Sequence, residues 1–243
     1  MIPLRDENPT ELKPVVTVML IVLNLAAWVL LQGAGMEERV LEASVWRYGA
    51  VPCELTQACV REQGGLGWAE LFTSMFMHGG WDHILGNMLF LWVFGNNIED
   101  SMGHARFIVF YLVCGLAAGL AHVFLMPDSQ LPTVGASGAI SGVMGAYVLL
   151  YPRARVQTWI PPLFLINVRA WFFLIYWFGF QLLAGVGSLG SGETGGVAVW
   201  AHIGGFVAGL VLIKPFENRK LVYAKTHGIV LPPREVARDE WKL

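Results

Sequence analysis

Long apolar stretches separated by short polar ones divide this chain at a spacing set by a bilayer. Six apolar segments, roughly 15–32, 83–98, 105–126, 137–151, 168–186 and 197–213, predict helices. The first, third, fifth and sixth approach the ~20 residues that cross a hydrocarbon core of ~30 Å. The second and fourth are shorter or open on polar residues. The pattern predicts an all-α membrane protein, a six-transmembrane-helix bundle. Its parts are a polar stub at 1–14, one intramembrane domain over 15–213 with a long loop at 33–82, and a tail at 214–243. No internal repeat is evident, which argues against a transporter built from duplicated halves.

Composition supports a membrane. The chain is 55% hydrophobic and 14% charged, with a mean hydropathy of +0.54, far more apolar than an average soluble domain. The net charge of −2 comes with no basic, aromatic-interleaved stretch, so nothing points to nucleic acid. Lys and Arg then set the orientation. With a cytoplasmic N-terminus, thirteen lie inside (Arg5, Lys13, Arg106, Arg153, Arg155, Arg169 and seven from Lys214 to Lys242) and three outside (Arg39, Arg47 and Arg61). That asymmetry predicts both termini inside. A basic residue ahead of the first apolar run is also a signal-peptide trait. The long core, the poor cleavage site at Gln32-Gly33-Ala34-Gly35 and five further spans predict a retained helix instead. A bacterial inner membrane is the expected location.

The polar exceptions carry the chemistry. The fourth span opens at Ser137 and ends before Arg153; its fifteen residues rise only roughly 22 Å. Ser137 should therefore sit below the outer surface, at a helix N-terminus. His202 lies twelve residues above Lys214 on the sixth span, and His83 sixteen above Glu99 on the second, roughly 18 and 24 Å. All three reach a similar depth. Asn87, four residues after His83, shares its helix face, and its cost in lipid argues for an interior position.

These residues make an acyl-transfer constellation. Ser137 is the candidate nucleophile and His202 its general base. His83, Asn87 and the Ser137 backbone N–H are candidate oxyanion donors. Gly135 and Gly138 free the backbone beside the serine for a substrate. No carboxylate lies near His202, the closest being Glu193 in an outer loop, so the sequence implies a dyad with slow turnover. A serine on a membrane helix more often bonds back to the carbonyl four residues earlier, and Ser141 reads as structural in that way. His122 reads as a packing or pore-facing residue, and His78, at the outer boundary, is a secondary candidate.

Small residues at a spacing of four, Gly115/Gly119, Gly138/Gly142 and Gly205/Gly209, predict tight helix contacts. The loop 33–82, with Trp46, Trp68, Leu71 and Met75, is amphipathic enough to pack against the bundle. Its Cys53 and Cys59 either bridge or remain free thiols, while Cys114 lies in the third span. No zinc-type cysteine spacing occurs.

With those residues in hand, the chain resembles the rhomboid intramembrane serine proteases over about residues 15–213. Gly135-Ala136-Ser137-Gly138 is similar to the family's nucleophile motif. Ala201-His202, followed by Gly205 and Gly209, is similar to that of the last core helix. His83-Ile-Leu-Gly-Asn87 is similar to the His-x-x-x-Asn motif of the second helix. The resemblance implies a Ser–His dyad, an oxyanion site that includes the His–Asn pair, single-pass membrane proteins as substrates, and no metal, ATP or other cofactor. It implies that the helix at 168–186 moves as a lateral gate, although its crowd of aromatics from Trp171 to Phe180 also suits a lipid-facing surface. Glu99 and Arg106 resemble a charged cluster bracing the cytoplasmic helix ends.

Two departures stand out. Some members carry Trp-Arg nine and eight residues before the position of His78, where this chain has Ala69-Glu70, which implies a different loop anchoring. Some place an aromatic four residues after the serine to stack on the histidine; Ser141 here leaves the support of His202 open. A relative that binds membrane clients without cutting them is the alternative function. A channel, a His-Glu-x-x-His metalloprotease and an intramembrane aspartyl protease each lack their expected residues.

Overall fold

The computed structural model describes residues 1–60, 64–191, 198–232, 235–236 and 241. Arg61, Lys242 and residues 192–196 of the connection 187–196, Glu193 among them, lie outside them. The chain enters through a strand, β1 (Ile2–Asp6), then α1 (Val15–Leu30). The loop 33–82 holds α2 (Glu38–Tyr48), α3 (Pro52–Leu55) and α4 (Glu70–Thr73). Next come α5 (Trp81–Phe90), a π turn at Leu91–Gly95, α6 (Asn96–Met102), α7 (His104–Leu125) and α8 (Ser137–Leu150). A hairpin of β2 (Arg155–Ile160) and β3 (Phe164–Arg169) leads to α9 (Ala170–Ser191), α10 (Val199–Phe216) and α11 (Arg219–Thr226).

Among the described residues three helices, α7, α9 and α10, are long and apolar enough to cross a membrane, and α1 and α8 are apolar but shorter. The apolar stretch expected at 83–98 is α5, the π turn and the start of α6. Gly95 sits in that π turn, where a β-carbon would lie 2.9 Å from Leu91 and 3.3 Å from Thr17 of α1. The fold is mostly helical, but the expectation of an all-α chain omitted a three-stranded antiparallel sheet in the order β1-β2-β3. The stub at 1–14 is therefore part of the fold, with Ile2 opposite Trp159 and Asp6 opposite Val156. The fifth apolar helix starts at Ala170, not 168, because Arg169 ends β3, opposite Arg155.

The end of the bundle that carries the sheet is tied by buried charge. Glu99 accepts hydrogen bonds from the N–H groups of Val16 and Thr17, both at 2.8 Å, and from the Thr17 hydroxyl. The first N–H groups of a helix have no intrahelical acceptor and carry its positive end, so this carboxylate caps α1 from another helix. His104 Nδ1 meets the same carboxylate at 2.6 Å. Asp100 takes the N–H groups of Glu11 and Leu12 and, at 2.7 Å, the Lys225 ammonium of α11. The part of the tail that forms α11 is thus packed on the domain. Tyr147 and Asn97 both donate to Asp6, whose carboxyl burial pushes up to about 6 despite those bonds and the Lys225 charge.

The opposite end carries the polar residues singled out by sequence. The loop 33–82 packs there: a β-carbon on Gly115 or Gly119 of α7 would strike Met75 or Leu71. Ala50 and Thr133 form a β-bridge, and the Gly135 N–H donates to the Ser74 carbonyl at 2.9 Å. Cys53 and Cys59 are bonded to each other, with their Cα atoms 5.2 Å apart. Glu70 is buried and accepts from the Leu66 N–H at 2.8 Å, a bond that closes a turn within the loop.

Candidate active site

Glycine brings α8 and α10 together. A β-carbon on Gly205 would lie 2.0 Å from the Gly138 carbonyl oxygen, and one on Gly209 would lie 1.9 Å from that of Gly142. On the same interface, Gly145 lies against the Phe206 backbone, where a β-carbon would come within 2.2 Å of its oxygen. Only glycine permits helix backbones to approach so closely. Ser137 is the first residue of α8, and His202 stands in the first turn of α10. That backbone contact leaves Ser137 Oγ and His202 Nε2 2.7 Å apart, a hydrogen-bond distance.

The other ring nitrogen also has a partner. His202 Nδ1 is 3.0 Å from Oε1 of Gln181 on α9. An amide oxygen only accepts, an arrangement that suits a ring protonated at Nδ1 with Nε2 free to accept from the Ser137 hydroxyl. Trp177, one turn before Gln181, packs against the His202 ring at a centroid distance of 5.8 Å. The sequence left the support of His202 open; α9 supplies it. Gln181 was not among the expected site residues, although its signal was present as a polar exception in an apolar helix.

His83 and Asn87 lie across the same cavity, which has a volume of about 570 Å³ and is lined also by Ser137, Trp177, Gln181 and His202. The Gly79 N–H donates to His83 Nδ1 at 3.2 Å, which leaves the Nε2–H as the ring's donor. That nitrogen borders Gly135: a β-carbon there would lie 2.7 Å from His83 Nε2 and 3.4 Å from Ser137 Oγ. Gly135 also has φ +125°, a region closed to most side chains. Among the described residues Asn87 Nδ2 is buried with no hydrogen-bond partner. A buried orphan donor is costly, and this one lines the cavity.

The remaining candidates divide as follows. Ser141 donates to the Ser137 carbonyl at 2.6 Å, the structural back-bond expected of it. His78 is fully buried, and its ring meets His83 edge-on at 5.1 Å. Gln32 holds it through the backbone, accepting from the His78 N–H and donating to its carbonyl at 2.8 and 2.7 Å. Burial, then the neighbouring His83, pushes the His78 imidazole down to about 3, so it is neutral. His122 is buried on α7 and its Nδ1 has no partner among the described residues. Of the aromatics on α9, Phe173 is buried and Trp177 half-buried, while Trp171, Phe172, Tyr176 and Phe180 are exposed. Glu99, expected in a charged cluster at the cytoplasmic helix ends, holds α1 and His104.

Parts of this sequence are similar to those of known proteins. The Rhomboid domain model matches residues 66–217. Rhomboid protease GluP of Bacillus subtilis (strain 168) is 34% identical over 154 residues, which is 61% of this chain and 27% of that protein. Rhomboid-like protein 11, chloroplastic, of Arabidopsis thaliana is 34% identical over 83 residues, 34% of this chain and 29% of that one. RHOMBOID-like protein 7 of Arabidopsis thaliana is 27% identical over 203 residues, 74% of this chain and 57% of that one. The chain thus spans between 27% and 57% of the length of these curated relatives. The domain match covers more than half of the chain and both residues of the Ser137–His202 pair, so the protein belongs to the rhomboid family.

Proposed function

We propose that this chain is an intramembrane serine endopeptidase that cuts other membrane proteins in or near their transmembrane segments. The observation that carries the reading is the Ser137 Oγ–His202 Nε2 hydrogen bond at 2.7 Å, inside a cavity bordered by unused donors. His202 takes the Ser137 proton as Oγ attacks the scissile carbonyl. The oxyanion forms against His83 Nε2–H, Asn87 Nδ2–H and the Ser137 backbone N–H at the start of α8. Collapse of the tetrahedral intermediate passes the proton from His202 to the leaving amine, and water admitted through the cavity then hydrolyses the acyl-enzyme by the same route. The neutral, edge-on ring of His78 would hold His83 in place.

In this reading the chain crosses the bilayer six times: α1, α5 with α6 through the π turn, α7, α8, α9 and α10. The sheet and both termini face the basic, cytoplasmic side, and the active site opens on the other. The proposed partners are transmembrane protein substrates and the lipid bilayer, and no metal or other cofactor takes part. GluP and the putative rhomboid protease YdcA of Bacillus subtilis carry protease names, which supports hydrolysis and a bacterial plasma membrane. Other relatives are named chloroplastic or mitochondrial. A client-binding relative that does not cut would not need a serine held on its base. The test is cleavage of a single-pass membrane protein in liposomes. Cleavage by wild type and none by Ser137→Ala is expected; equal cleavage by both would overturn the reading.

A further inference from the structure

Gln181 belongs to neither the nucleophile nor the oxyanion wall, yet it touches the proposed base. It stands on α9, one turn after Trp177 and therefore on the same helix face. Both side chains meet the His202 ring, the indole at 5.8 Å between centroids and the amide oxygen at 3.0 Å from Nδ1. An imidazole in an apolar bundle has two tautomers and free rotation about its side-chain bonds, and only one arrangement directs a bare Nε2 at Ser137. A carboxylate would select that tautomer and stabilise the imidazolium, but an ionised carboxylate is expensive to bury in lipid. A primary amide selects the tautomer at a far smaller desolvation cost, and its dipole still points the negative end at Nδ1.

We infer that Gln181 is a positioning residue, the third member of a hydrogen-bonded Ser137–His202–Gln181 row. It fixes the His202 ring with Nδ1 protonated and Nε2 free to accept the Ser137 proton. The inference rests on the serine-protease reading of the site. It replaces the unsupported dyad of the sequence reading with a histidine held from α8 on one side and from α9 on the other. Because Gln181 and His202 lie on different helices, the alignment of the base depends on the seating of α9 against α10.

The test compares wild type, Gln181→Met and Gln181→Glu in liposomes, with kcat and KM measured separately for one membrane substrate. Met keeps the length of the side chain and removes the acceptor; Glu keeps an acceptor oxygen. Gln181→Met should lose about 10- to 100-fold in kcat, less than the ~10⁴ that follows disruption of a carboxylate partner, with KM within about threefold, an allowance for a change confined to the chemical step. Gln181→Glu should recover most of that loss. Unchanged kcat in Gln181→Met, or equal losses in both variants, would overturn the proposal. ¹⁵N NMR of the histidine side chains in wild type reads the tautomer without any substitution. A neutral His202 protonated at Nδ1 is expected, and protonation at Nε2 would contradict the role. An inactive wild type with Ser137 unreactive would instead remove the protease reading itself.

Discussion

Gly205 of α10 rests on the carbonyl oxygen of Gly138 in α8, with room for nothing larger than hydrogen: a β-carbon would lie 2.0 Å from that oxygen. The contact is one turn from His202 and one residue from Ser137. Gly→Ala inside a helix ordinarily gains about 1 kcal/mol. Here the sign should reverse, because the clash is with backbone and the two helices must separate. Gly205→Ala should destabilise the protein by about 1–3 kcal/mol, the range for overpacking, and lose most of its cleavage activity. Thermal unfolding in detergent checks the first, and an activity assay below the unfolding range checks the second.

The oxyanion wall makes a separate kinetic prediction. His83→Ala and Asn87→Ala should each lower kcat by about 10²–10³-fold, as loss of one oxyanion donor does elsewhere, while KM changes little. Asn87→Ala should cost little stability, since the buried Nδ2 it removes has no hydrogen-bond partner among the described residues. Gly135→Ala should impair kcat as well, through its φ of +125° and a β-carbon pressed to 2.7 Å from His83 Nε2.

At the far end, Glu99 decides stability rather than catalysis. Replacing it by Ala strands the N–H groups of Val16 and Thr17 and the His104 ring, all of which bond to it now. Each buried orphan costs about 1–3 kcal/mol, so Glu99→Ala should lower stability by about 3 kcal/mol or more. Glu99→Gln keeps one acceptor oxygen and should lose less. Denaturation in detergent separates the two.

Asp6 gives the fold a pH dependence of definite sign. Its carboxyl is raised to about 6, first by burial, against about 3.9 in an unfolded chain. The folded state then prefers the protonated acid, so the contribution is favourable below about pH 4 and is lost as pH rises to about 6. On acidification from neutral pH, wild type should gain thermal stability relative to Asp6→Asn. A relative loss would mean that the Lys225 charge, not burial, governs this carboxyl.

Ser137, His202, His83 and Asn87 were legible because a polar side chain on an apolar helix is costly and therefore conspicuous, and helix rise alone brought them to one depth. The glycine pairs were legible by spacing, but not which backbones they would join. Gln181 is as conspicuous on its own helix, but a neutral amide twenty-one residues before His202 carries no charge that would mark it as a partner of the imidazole. The sheet was missed for a different reason. Neither Arg155–Ile160 nor its hairpin partner Phe164–Arg169 alternates cleanly between polar and apolar residues, and the third strand, Ile2–Asp6, pairs some 150 residues away, a distance no local pattern announces. Lys225 reaching Asp100, from the tail that follows the last span, is hidden in the same way.

The most direct measurement of the central claim is labelling by a fluorophosphonate probe, followed by mass spectrometry of the modified residue. The hydrogen bond between His202 Nε2 and Ser137 Oγ predicts one adduct, on Ser137, in the wild-type protein. It predicts none in Ser137→Ala and labelling slowed by about 10³-fold or more in His202→Ala, in line with loss of a general base. An adduct on any other residue, or undiminished labelling of Ser137 without His202, would contradict the account.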